Sequence, residues 1–153
     1  MFQLDFSVDK AGLLWEIIGC CYLLLLSIQD IRTRMVSQRI LIIGGTLALI
    51  VQSVLKLYPL ELCVAGGLLG VLFIGISRLT REALGYGDSF LITILGIFLG
   101  IWNLMYVLVI AFIISALVSM VVLIRFCYNR KKTLPFIPFL TAGYMAFIIL
   151  EKI

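Results

Sequence analysis

Residues 85–101 read Gly85-Tyr86-Gly87-Asp88-Ser89-Phe90-Leu91-Ile92-Thr93-Ile94-Leu95-Gly96-Ile97-Phe98-Leu99-Gly100-Ile101. A carboxylate stands at the head of an apolar run that carries no further charge. An earlier apolar run, 13–28, ends just before a second aspartate, Asp30. Ionisable groups at membrane depth are costly, so those that persist there mark functional sites by default. The chain has no histidine, which closes the Ser-His route and the histidine-ligated zinc route to hydrolysis. Two carboxylates that share a proton across a bound water need neither.

Working outward, the composition excludes an ordinary soluble domain: 63% of the residues are hydrophobic and 13% are charged. It predicts an all-α membrane protein, a single domain over residues 1–153 built as a six-transmembrane-helix bundle. Runs near the roughly 20 residues needed to cross hydrocarbon fall at about 13–28, 40–57, 60–77, 88–101, 104–124 and 134–150. The fourth is long enough only if its helix begins near Gly87, with Asp88 in the first turn. Tyr58-Pro59 separates spans two and three, and Trp102-Asn103 is expected to separate spans four and five. The N-terminal stretch, with Asp5 and Asp9 beside Lys10, does not read as a secretory signal peptide.

Orientation follows from the loops. Arg32, Arg34, Arg39, Arg78, Arg81, Arg125, Arg130, Lys131 and Lys132 fall on one side of the six spans, and Lys10, Lys56 and Lys152 on the other. The positive-inside rule puts the first set in the cytoplasm and both termini outside, in the plasma (inner) membrane. Asp30 and Asp88 then lie at the same, cytoplasmic face, on different helices. The net charge of +4 is explained by this topology and by the anionic lipid bilayer, with no nucleic acid required. Cys20, Cys21, Cys63 and Cys127 lack metal-ligand spacing, so neither a metal nor another cofactor is expected.

Asp30 and Asp88 are therefore the candidate catalytic pair. The ionised member removes a proton from water, and the protonated member polarises the scissile carbonyl. Gly85 and Gly87 suit a loop that delivers an aspartate against an extended peptide, because glycine tolerates positive φ and close backbone approach. Blander readings stand beside these. Asp30 alone reads as a solvated loop residue paired with Arg32 or Arg34, and Asp88 as a helix N-cap. Glu82 reads as a solvated loop charge. Gly66, Gly67 and Gly70 read as positions of close helix contact, and Met35, Met105, Met120 and Met145 as lipid-facing or packing residues. A non-enzymatic alternative is a transporter component whose carboxylates relay protons or cations.

Three segments resemble the type IV prepilin and preflagellin peptidases, membrane aspartyl proteases of the Gly-x-Gly-Asp class. They are Asp30-Ile31-Arg32-Thr33-Arg34-Met35-Val36-Ser37, Leu84-Gly85-Tyr86-Gly87-Asp88, and Leu134-Pro135-Phe136-Ile137-Pro138-Phe139-Leu140. The resemblance implies an endopeptidase that removes the short basic leader of prepilin-like or pseudopilin substrates at the cytoplasmic face. Asp30 and Asp88 would be the catalytic aspartates, and Pro135 and Pro138 would belong to a loop or substrate-positioning segment. The chain departs from the family at Val36-Ser37-Gln38, where many members carry Ile-Pro-Asn, and at Ser89-Phe90, where a lysine is often found. The paired-cysteine extension of larger members is not seen, so no methyltransferase activity is expected. These departures also leave a catalytically degenerate assembly subunit as an alternative.

Overall fold

A computed structural model describes residues 3–33, 38–55, 58–79, 85–125 and 135–151. Arg34, Met35, Val36, Ser37, Lys56, Arg81, Glu82, Leu84, Cys127, Arg130, Lys131, Lys132, Leu134 and Lys152 lie outside the described residues, as do the side chains of Asp5, Asp9 and Lys10. The described chain is helical: α1 (Gln3–Thr33), α2 (Gln38–Leu55), α3 (Leu60–Leu79), α4 (Tyr86–Arg125) and α5 (Ile137–Glu151). By length and composition α1 over Gly12–Thr33, α3 and α4 can cross a membrane, while α2 and α5 are shorter apolar helices.

The 40 residues of α4 are two helical arms, 86–99 and 101–125, joined at Gly100 with φ 75° and ψ 170°. The packing shows that the chain folds back there. The Ser89 hydroxyl lies 3.4 Å from the Phe73 carbonyl oxygen, and the Phe112 ring lies 6.5 Å from the Phe73 ring. In a straight helix Ser89 and Phe112 would be about 35 Å apart at 1.5 Å per residue. Both reach Phe73 only because the second arm returns alongside the first. The break is thus at Gly100 and not at Trp102-Asn103, which lie inside the second arm. Positive φ is what the reversal requires, and glycine adopts it without the clash of a Cβ.

Alanine at Gly100 should accordingly lower stability by about 1–2 kcal/mol. Gly75, inside α3, has open space where a Cβ would go, and alanine there should be neutral or stabilising. Thermal unfolding of the two variants in detergent checks the contrast.

The seam between α3 and the first arm of α4 is made of backbone. A Cβ on Gly66 would land on the Gly96 carbonyl, one on Gly96 on the Gly66 carbonyl, and one on Gly70 on the backbone of Thr93. Small residues allow this approach where lipid supplies no hydrophobic drive for helix pairing. The expectation of close helix contact at Gly66 and Gly70 holds on this geometry.

α5 runs antiparallel to α1. The Thr141 hydroxyl lies 3.3 Å from the Leu23 carbonyl, and the Tyr144 hydroxyl donates to the Glu16 carbonyl at 3.4 Å. Trp15 of α1 stacks on Phe98 near the Gly100 turn, with ring centroids 4.2 Å apart. The core is Leu23, Leu26, Leu91, Ile92, Leu104, Val107, Leu140 and Tyr144, all at most 1% exposed. The outer faces carry large exposed apolar side chains such as Leu25, Val54, Leu72 and Ile124, a surface suited to hydrocarbon.

Candidate active site

Asp30 sits in the last turn of α1, but the helix does not leave it in solvent. It is 6% exposed, and its Oδ2 accepts a hydrogen bond from the Ile137 amide at 3.4 Å. The solvated-loop reading of Asp30 is therefore corrected: the start of α5 covers it.

Asp88 lies in the first turn of α4 and is half-buried. A Cβ on Gly85 would stand 3.2 Å from Asp88 Oδ2, so glycine leaves the space the carboxylate occupies. Positive φ is not its contribution, since Gly100 is the positive-φ glycine among the described residues. Gly87 is the second residue of α4 and half-buried. Fully buried Ser89 fixes the turn: its amide donates to the Gly85 carbonyl at 3.2 Å, and its hydroxyl lies 3.3 Å from the same oxygen.

The two carboxylates lie at one end of the bundle, Asp30 where α1 ends and α5 begins, and Asp88 where α4 begins. A chain of ring contacts joins their surroundings. The residue before Ile137, which holds Asp30, is Phe136, whose ring lies 5.4 Å from Phe112. Phe112 lies 6.5 Å from Phe73, and the Phe73 carbonyl lies 3.4 Å from the hydroxyl of Ser89, beside Asp88. Phe73, Phe112 and Phe136 thus link α3, α4 and α5 at the level of the aspartates. Pro135 and Pro138 are half-buried on either side of Ile137, Pro138 within the first turn of α5. Proline is tolerated there because a first-turn amide needs no intrahelical partner.

A cavity of about 660 Å³ opens at the far end of the bundle, lined by Gln52, Tyr58, Pro59, Cys63 and Ile97 among others. There burial raises the Tyr58 phenol above its ordinary value, the Glu151 charge adds to the shift, and a hydrogen bond with Asn103 opposes it. Among the described residues no three His, Cys, Asp or Glu side chains assemble into a metal site.

Sequence reasoning missed the Ile137 amide and Thr141. The first is a backbone group, which leaves no mark in residue type. The second is one hydroxyl in an apolar helix, 4% exposed, and Thr141 was a legible signal. Gln29, adjacent to Asp30, also went unremarked; its buried Oε1 has no hydrogen-bond partner among the described residues.

Residues 17–120 match the sequence model of the type IV leader peptidase family. The chain belongs to that family. No curated protein and no solved structure matches it. Membership carries a leader-peptidase function in general, and with the spanning helices it makes this a membrane protein. The matched residues of this leader peptidase family member include Asp30 and 85–88 and end before the proline-aromatic segment at 134–140.

Proposed function

We propose that this leader peptidase family member is a membrane aspartyl endopeptidase in which Asp30 and Asp88 activate one water molecule between them. Its substrates are prepilin-like proteins, cut on the cytoplasmic side just ahead of their apolar helix. The observation that supports the reading is that the helix ends bearing Asp30 and Asp88, far apart in sequence, share one end of the bundle, with both aspartates inside the family match.

In the reaction, one carboxylate, ionised, takes a proton from the water as its oxygen attacks the scissile carbonyl carbon. The other, protonated, donates to the carbonyl oxygen as the tetrahedral centre forms. Collapse of that centre breaks the C–N bond, and the departing nitrogen takes up a proton. Every proton moves between the two carboxyl groups, the water and the peptide, so no metal enters the scheme.

Six spans with both termini outside accommodate this reading. The two arms of α4 act as spans four and five, and α2 and α5 complete the set. The substrate helix inserts parallel to α1 and α4, with its leader in the cytoplasm. Recognition rests on the apolar helix more than on charge, because substrate leaders and the cytoplasmic loops are both basic.

Co-expression with a prepilin-like substrate tests the assignment by gel shift. Wild type removes the leader; Asp30→Asn and Asp88→Asn do not, and processing that survives both overturns the assignment. A steric prediction accompanies it. Valine at Gly85 crowds Asp88 Oδ2, and misplacing a catalytic group by about 1 Å costs on the order of a hundredfold in rate. Gly85→Val should therefore cleave roughly a hundredfold more slowly while remaining folded in detergent.

A further inference from the structure

We infer that the first turn of α5 positions Asp30, through the Ile137 amide and the Thr141 hydroxyl. This rests on the reading of Asp30 as half of the hydrolytic pair, and it names the group that orients that half.

Asp30 cannot be held well by its own helix. It lies in the last turn of α1, where unpaired carbonyls and the negative end of the helix dipole face it. A carboxylate only 6% exposed nonetheless needs a hydrogen-bond donor. The start of α5 is the opposite kind of helix end, with unpaired amides, and Ile137 N–H meets Asp30 Oδ2 at 3.4 Å.

The local sequence narrows the choice of donor to that amide. Pro138 has no N–H, and the Phe139 amide donates to the Phe136 carbonyl at 3.0 Å. Of the first three residues of α5, Ile137 alone offers its amide to Asp30. Pro138 thereby acquires a reason: it removes a competing donor at no cost to the helix.

Thr141, one turn further along α5, sets the distance between the helices. Its single hydroxyl proton is shared between two acceptors, the Ile137 carbonyl at 2.9 Å and the Leu23 carbonyl of α1 at 3.3 Å, one at a time. Leu23 and Asp30 are two turns apart on one face of α1. The two helices therefore approach at two heights, Asp30 with Ile137 and Leu23 with Thr141, and the Ile137 contact orients the Asp30 carboxylate through Oδ2. Ile137 and Thr141 are positioning residues; neither need touch the substrate.

The experiment measures leader-cleavage kinetics of the full chain in detergent with a prepilin-like substrate. Ile137 is fully buried, so Ile137→Ala serves as the reference that loses the side chain and keeps the amide. Ile137→Pro loses both, at a helix position whose φ suits proline. The expected result is a kcat roughly tenfold or more lower in Ile137→Pro than in Ile137→Ala, with KM within about twofold of the reference. Thr141→Val, which keeps the volume and loses the hydroxyl, should likewise lower kcat, whereas Thr141→Ser should stay near wild type.

Equal kcat in Ile137→Pro and Ile137→Ala, or a loss confined to KM, overturns the inference. If Ile137→Pro unfolds well below Ile137→Ala in a thermal scan, the Thr141 pair decides alone, and equal kcat in the two overturns it. Full cleavage by Asp30→Asn is a separate outcome that would remove the underlying reading instead.

Discussion

Asparagine at Asp30 or at Asp88 lowers leader cleavage by roughly a thousandfold or more, the scale of a lost general acid or base. The substitution keeps the size and most of the polar contacts of the side chain. At position 30 the amide oxygen of asparagine can still accept from the Ile137 N–H, so α5 stays docked. What is lost is the exchange of a proton with water and peptide. Both variants should therefore unfold at temperatures close to wild type and retain substrate binding, with the loss in kcat. Cleavage assays paired with thermal scans separate this outcome from misfolding. In the wild type the rate should fall at both extremes of pH, because the pair works only with one carboxyl ionised and one protonated.

The second large effect is structural. Leucine at Gly96 drives a branched side chain into the carbonyl of Gly66, with backbone on the far side and no flexible group to yield. Overpacking a close contact costs about 3 kcal/mol or more, a large part of the stability of a domain of ordinary size. The seam it opens also carries the chain toward Asp88, since α3 and the first arm of α4 meet again where Ser89 reaches Phe73. Gly96→Leu should thus yield little folded protein and no cleavage. Gly45→Ala is the control: its added carbon would meet the Ile94 side chain at an ordinary 3.4 Å. Size-exclusion profiles of the two variants in detergent give the comparison, with a monodisperse peak expected from Gly45→Ala alone.

Much of this architecture was legible because apolar runs and glycine spacing report directly on helices and their contacts. The start of α4 beside Asp88 was readable from the length of the run that follows. Gly66 and Gly70 were readable because lipid-embedded helices approach closely only over small residues. The reversal at Gly100 was not, since a positive φ leaves no trace in hydropathy, and the more polar Trp102-Asn103 drew the boundary instead. The full length of α1 was also hidden: helices continue past the apolar stretch into polar residues at both ends. The burial of Asp30 depends on a backbone amide at the start of α5, a partner more than a hundred residues away. No pattern local to residue 30 could reveal it. Gly85 was expected to give backbone freedom beside Asp88, and the structure shows instead that it leaves the space needed by a carboxylate oxygen.

The pair of aspartates is tested most directly by a double-mutant cycle of leader-cleavage rates in Asp30→Asn, Asp88→Asn and the combined variant. Groups that serve one water as a unit lose their function together, so the combined variant should be no slower than the slower single variant. A combined loss equal to the product of the single losses, or wild-type cleavage by either single variant, would contradict a shared water.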